Sequence, residues 1–114
     1  MKKLFLITII ILLLPSCTTQ IGLYTWGNYD KLTYNYLKNS NQESIDELFK
    51  GYKEMIDNQK GTRKVVPPGI FADYAFLLLE QGKTDQAIDM LNQEISLYPE
   101  SKVFIERILK MIEK

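Results

Sequence analysis

The chain has 114 residues, enough for one domain, and its 46% hydrophobic and 25% charged content is that of a packed globular protein rather than a disordered one. Fourteen basic side chains balance fourteen acidic ones, which leaves no bulk electrostatic footprint for nucleic acid. With no histidine and one cysteine, the commonest general base and metal ligand, an internal disulfide and a thiolate-rich metal centre are all missing, and no cofactor or metal is expected.

Met1-Lys2-Lys3 opens the chain with positive charge, and Leu4 to Leu14 is apolar except for Thr8. The run is about half the roughly 20 residues that a spanning helix needs. Charge, run length and the small Ser16 mark residues 1–16 as a secretory signal. Leu14-Pro15-Ser16-Cys17 then resembles a bacterial lipobox, with Pro15 where Ala, Ser, Thr or Val is commoner. That resemblance implies cleavage before Cys17, diacylglycerol on its sulfur and acylation (palmitate) of the new amino group. Two or more chains hold a protein stably on a bilayer, whereas one is marginal. Thr18, not Asp, follows the cysteine, which by the sorting rule for such signals implies the outer membrane, facing the periplasm. Cleavage removes Lys2 and Lys3 and no acid, leaving 98 residues with a net charge of −2. Bulk charge would not draw this chain to anionic lipid, so the acyl chains would be the anchor.

Residues 17–28 read as the lipidated cysteine and a linker ending in Thr25-Trp26-Gly27-Asn28-Tyr29, which holds the only tryptophan. From Tyr29 onward the apolar residues take helical spacing, and residues 29–114 read as a single α-helical domain. Tyr29, Leu32, Tyr36 and Leu37 share one face; Asn39-Ser40-Asn41 breaks it, and Ser40 with Glu43 reads as a capping box. Ile45, Leu48, Phe49, Tyr52, Met55 and Ile56 form the next stripe, where Gly51 offers room for another helix. A basic loop, Lys60–Lys64, precedes Val65-Val66-Pro67-Pro68-Gly69, which bars a helix. The spacing then predicts helices over Ile70–Gln81, from Thr84 or Asp85 to Tyr98, and beyond a Ser101 cap through Ile112. No period-two alternation is present, so the fold class is all-α with about five helices.

Pro68–Ser101 resembles one tetratricopeptide repeat of 34 residues. Phe71 and Leu78 stand at large positions, Ala75 and Ala87 at the small positions where the two helices cross, Gly82 at the turn and Pro99 at the close. Tyr74 replaces the usual Leu and Glu94 the usual Ala. Tyr29, Leu32 and Tyr36 keep the large positions of an earlier, degenerate repeat, whose small residues do not line up without a shift of register. The last helix would close the stack, with Lys102, Glu106, Arg107, Lys110 and Glu113 on a solvated side.

The lipobox, Tyr24-Thr25-Trp26-Gly27-Asn28-Tyr29, Pro67-Pro68-Gly69-Ile70-Phe71-Ala72, Gln81-Gly82-Lys83 and Tyr98-Pro99-Glu100-Ser101 together resemble a family of small bacterial lipoproteins that carry a domain of unknown function. The resemblance implies a periplasm-facing outer-membrane lipoprotein without assigned activity. Its members are often encoded beside other lipoproteins, one of them like the curli secretion channel subunit, which suggests another envelope lipoprotein as partner.

Three readings of the aromatic stretch stand open: Trp26 and Tyr29 as a packing lid, as a rigid surface for a partner, or as rings in the headgroup zone, where Trp is favoured. Phe71, Tyr74 and Leu78 are the further candidate partner-binding residues, on the concave face expected of the first helix of the repeat. No phosphate loop, nucleophile–base pair or calcium loop is found, so a non-catalytic interaction protein is expected. The alternative is a small enzyme or ligand-binding protein acting on cell-wall material through Asp73, Glu80 or Glu94, which requires carboxylates converging in a cleft.

Overall fold

Six α-helices and one 3-10 turn account for the regular structure of the described residues, and no strand occurs among them, as the all-α expectation requires. The computed structural model describes residues 1–12 and 21–114; the lipobox, with Cys17, lies outside them. The helices are α1 (Lys2–Leu12), α2 (Tyr29–Asn39), α3 (Gln42–Asp57), α4 (Ile70–Glu80), α5 (Thr84–Leu97) and α6 (Lys102–Ile112), and the 3-10 turn is Pro99–Ser101. α1 holds the N-terminal apolar run as far as Leu12. No described helix is long and apolar enough to cross a membrane.

Local chemistry sets the helix ends. Ser40 does not cap α3, contrary to expectation: at φ 44° it closes α2, with its N–H and hydroxyl both donating to the Tyr36 carbonyl. The capping box is Asn41 with Ser44. The Asn41 carboxamide accepts from the Ser44 N–H at 2.8 Å, and the Ser44 hydroxyl accepts from the Asn41 N–H at 3.2 Å. Asn caps as well as Ser does, and the short link between α2 and α3 leaves Ser40 the left-handed position. α4 ends in a Schellman motif on Gly82, at φ 74°: the Lys83 N–H reaches the Leu78 carbonyl, and the Gly82 N–H that of Leu79. Ser101 does not cap α6 either; its hydroxyl donates back to the Tyr98 carbonyl at 2.7 Å, inside the turn that Pro99 starts.

Two antiparallel hairpins, α2–α3 and α4–α5, stack through α3 and α4, and α6 covers α5. The first core joins Leu48, Tyr52 and Met55 of α3 to Val66, Ile70, Phe71 and Leu77, with Tyr29, Leu32 and Tyr36 of α2 packed on it. The second joins Ala72, Ala75 and Leu78 of α4 to Ala87 and Leu91 of α5 and Ile105 and Ile108 of α6. Ala75 and Ala87 are wholly buried where α4 and α5 cross, as the repeat pattern asks of its small positions. Gly51 admits α2: a Cβ there would meet Leu32 Cδ1 at 2.3 Å. Among the described residues, both cores draw only on those between Tyr29 and Ile112, with nothing from α1.

Candidate functional site

Residues 22–25, read from sequence as linker, form a strap bonded along the loop after α3. The Thr62 and Arg63 N–H groups donate to the Gly22 and Leu23 carbonyls at 3.1 and 3.2 Å. Gln59 grips Thr25 from both sides: its Oε1 accepts from the Thr25 N–H at 2.9 Å, and its Nε2 donates to the Thr25 carbonyl at 2.8 Å. The Lys60 N–H donates to the Thr25 hydroxyl. The approach is close enough to require Gly61, where a Cβ would fall 2.3 Å from the Leu23 carbonyl oxygen. The basic loop therefore acts as a dock for the strap.

The strap delivers Trp26 to the surface, 45% exposed. Its ring leans on Tyr29, centroids 5.5 Å apart, and the aromatic contacts run inward from there through Tyr52 and Tyr74 to Phe49. Trp26, Asn28 and Tyr29 overhang a hollow of about 170 Å³ at the end of α3, with Leu32, Gly51 and Met55 among its walls and Glu54, Asn58 and Lys60 also lining it. Trp26 is thus both lid and exposed ring, while Tyr29 belongs to the packing.

Tyr29 also opens a second feature. Its hydroxyl donates to Asp73 of α4 at 2.8 Å, and seven residues on, the Tyr36 hydroxyl donates to Glu80. Each pair is 44 residues apart. Equal offsets two helical turns apart, about 10 Å, mean that α2 and α4 run parallel and in register, bridged by two rungs. Between them lies a groove of about 270 Å³ lined by Thr33, Leu37, Leu48, Phe76 and Leu77 together with the bridging groups. Leu37 and Phe76 are exposed. Burial first, and then the Asp73 carboxylate, pushes the Tyr29 hydroxyl up to about 12. The bond to Glu80 is the main cause that raises Tyr36.

Of the residues expected to bind a partner, the structure brings Trp26 and Tyr29 together at the hollow and leaves Tyr74 half-buried in the aromatic chain. Phe71 and Leu78 are corrected: both are buried, Phe71 in the first core and Leu78 in the second, because α4 is sandwiched between α3 and α5. The exposed face of α4 is that of Phe76. The matching seven-residue spacing of Tyr29 with Tyr36 and of Asp73 with Glu80 was the signal for the groove.

The three candidate catalytic acids do not converge. Asp73 and Glu80 share the groove, each engaged by a tyrosine hydroxyl. Glu94 is elsewhere, 2% exposed on α5, where its Oε1 accepts from the Gly69 N–H at 2.7 Å. It caps α4 across the hairpin, a task that Gly69 itself cannot perform. Its second oxygen, Oε2, is buried without a partner. Burial raises the carboxyl above the usual glutamate range, against the pull of the N–H groups of Gly69, Ala72 and Phe71. No group of three or more acidic or cysteine side chains placed to hold a metal occurs among the described residues.

The model of a family described as a domain of unknown function, DUF4810, matches residues 23–108, and the chain belongs to that family. The match begins within the strap and ends in α6, so it takes in the hollow and the groove together. No curated protein and no solved structure matches the chain.

Proposed function

We propose that this DUF4810 member is a non-catalytic, lipid-anchored envelope protein that binds another envelope protein, a neighbouring lipoprotein in a secretion or envelope assembly being the partner class. Cys17 would carry the lipid on the periplasmic side of the outer membrane, and the helical body would carry the contact. The observation that supports the contact is the parallel pair α2 and α4. Their two tyrosine–carboxylate rungs hold a groove in fixed register while leaving Leu37 and Phe76 in solvent. A preformed groove with exposed apolar side chains suits an amphipathic helical segment of a partner. Trp26 adds a rigid aromatic anchor of the kind that dominates interface energetics.

The test is crosslinking in cells followed by pull-down of the mature protein, with Phe76→Glu and Trp26→Ala beside the wild type and equal helicity verified by circular dichroism. Capture of a defined envelope protein by wild type, reduced at least about tenfold by Phe76→Glu, supports the groove. The same partner captured equally by all three folded proteins would overturn it. Separately, labelling with a palmitate analogue should mark the wild type and not Cys17→Ser.

A further inference from the structure

α6 should be the polar cap of the stack, but its outward face is not polar. Val103, Phe104 and Met111 are 66%, 60% and 68% exposed, while Ile105 and Ile108 on the opposite side fill the second core. At 100° per residue, Lys110, Val103, Arg107, Met111 and Phe104 fall in that order within an arc of about 120°. Two cations are thus interleaved with three apolar side chains, and Lys114 follows just past the helix end. Glu106, the one acid within the helix, lies on the Lys102 flank, 3.7 Å from the Lys102 ammonium.

From this we infer that the outer face of α6 rests on an anionic phospholipid surface. Apolar rings and chains flanked by Lys and Arg are the make-up of a helix that lies in a membrane interface. A protein partner would also cover the apolar side chains, but cations set among them favour an anionic surface. The balanced charge of the whole chain conceals this face because most of the acids lie on the other helices.

The inference does not depend on an acyl chain at Cys17, and its test omits the anchor. The chain from Thr18 onward, which contains both cores, is sedimented with vesicles of phosphatidylcholine alone and of phosphatidylcholine with phosphatidylglycerol, at low and high salt. Binding to the anionic vesicles only, weakened by salt, is expected. Each cation at such a surface contributes about 1 kcal/mol, so Arg107→Gln/Lys110→Gln/Lys114→Gln should lower partitioning by roughly a hundredfold. Phe104→Gln/Met111→Gln should lower it as well. All five positions are exposed, and circular dichroism verifies that the variants fold. Absence of binding, equal binding to both vesicle types, or binding that survives the triple substitution would overturn the inference. So would a dimer in sedimentation velocity that the Phe104→Gln/Met111→Gln variant abolishes, since the face would then belong to a second copy.

Discussion

Glu94 is the residue whose role was least legible in the sequence. It stands where a repeat of this kind usually has alanine, and spacing alone makes a charged residue there an obstacle to close packing. The structure gives it the N-terminus of α4 instead, because Gly69 has no side chain with which to cap it. Glu94→Ala should cost about 1–3 kcal/mol in urea unfolding, from the lost cap and the space left behind. Its pH dependence runs opposite to that of a salt-bridged acid. The folded carboxyl sits above its ordinary value of 4.5, so the folded state holds the proton more tightly than the unfolded one. This contribution is full below 4.5 and declines as pH rises through the folded value. The stability of wild type relative to Glu94→Gln should accordingly fall as pH is raised across that range. Tyr29 behaves likewise at alkaline pH. Its contribution is complete below 10.0 and is lost as pH climbs through about 12. Tyr29→Phe should cost about 1 kcal/mol at neutral pH and should remove one of the late-ionising tyrosines from an ultraviolet titration.

Among the elements, the helices themselves were readable, because apolar spacing and glycine or proline stops act within a few residues. Every helix from Tyr29 onward occurs where its stripe predicts. The strap was not readable, since its partners, the Gln59 carboxamide and the backbone N–H groups of Lys60, Thr62 and Arg63, lie far along the chain and such bonding leaves no periodic trace. Only Gly61 hinted at it, and then only as a loop glycine. Gly61→Ala should free the strap while leaving the helices intact. The measurement is amide hydrogen exchange: the Thr62 and Arg63 amides should lose protection, and those of α4 and α5 should keep theirs. The register problem of the first repeat has a similar origin. The hydrogen-bonded offset between α2 and α4 is 44 residues, against the 34 of a tandem repeat. The segment from Asn58 to Gly69 accounts for the excess, and part of that segment docks the strap.

For the whole molecule, α4 belongs to both cores, so neither hairpin has a core independent of the other. Thermal unfolding should be a single transition, coincident in backbone and aromatic circular dichroism. Leu78→Ala, at the centre of the second core, should lower stability by about 2–5 kcal/mol, a large part of what a domain of this size has. Two separate transitions would contradict the shared-helix arrangement. The candidate surfaces were only partly visible in advance for the same reason. A stripe tells which residues are apolar, but not which of two neighbouring helices covers them. Phe71 and Leu78 went to the interior, and Phe76, five residues after Phe71, stayed outside.

The aromatic chain from Trp26 to Phe49 also has an optical consequence. Rings this close couple electronically, and an excited tyrosine passes its energy to tryptophan. Light absorbed by Tyr29, Tyr52 or Tyr74 should therefore emerge from the single indole at the surface. The protein carries its own gauge: tyrosine-excited emission from Trp26 would dim when the strap lifts and shift in colour when something settles in the hollow beside it, with no label attached.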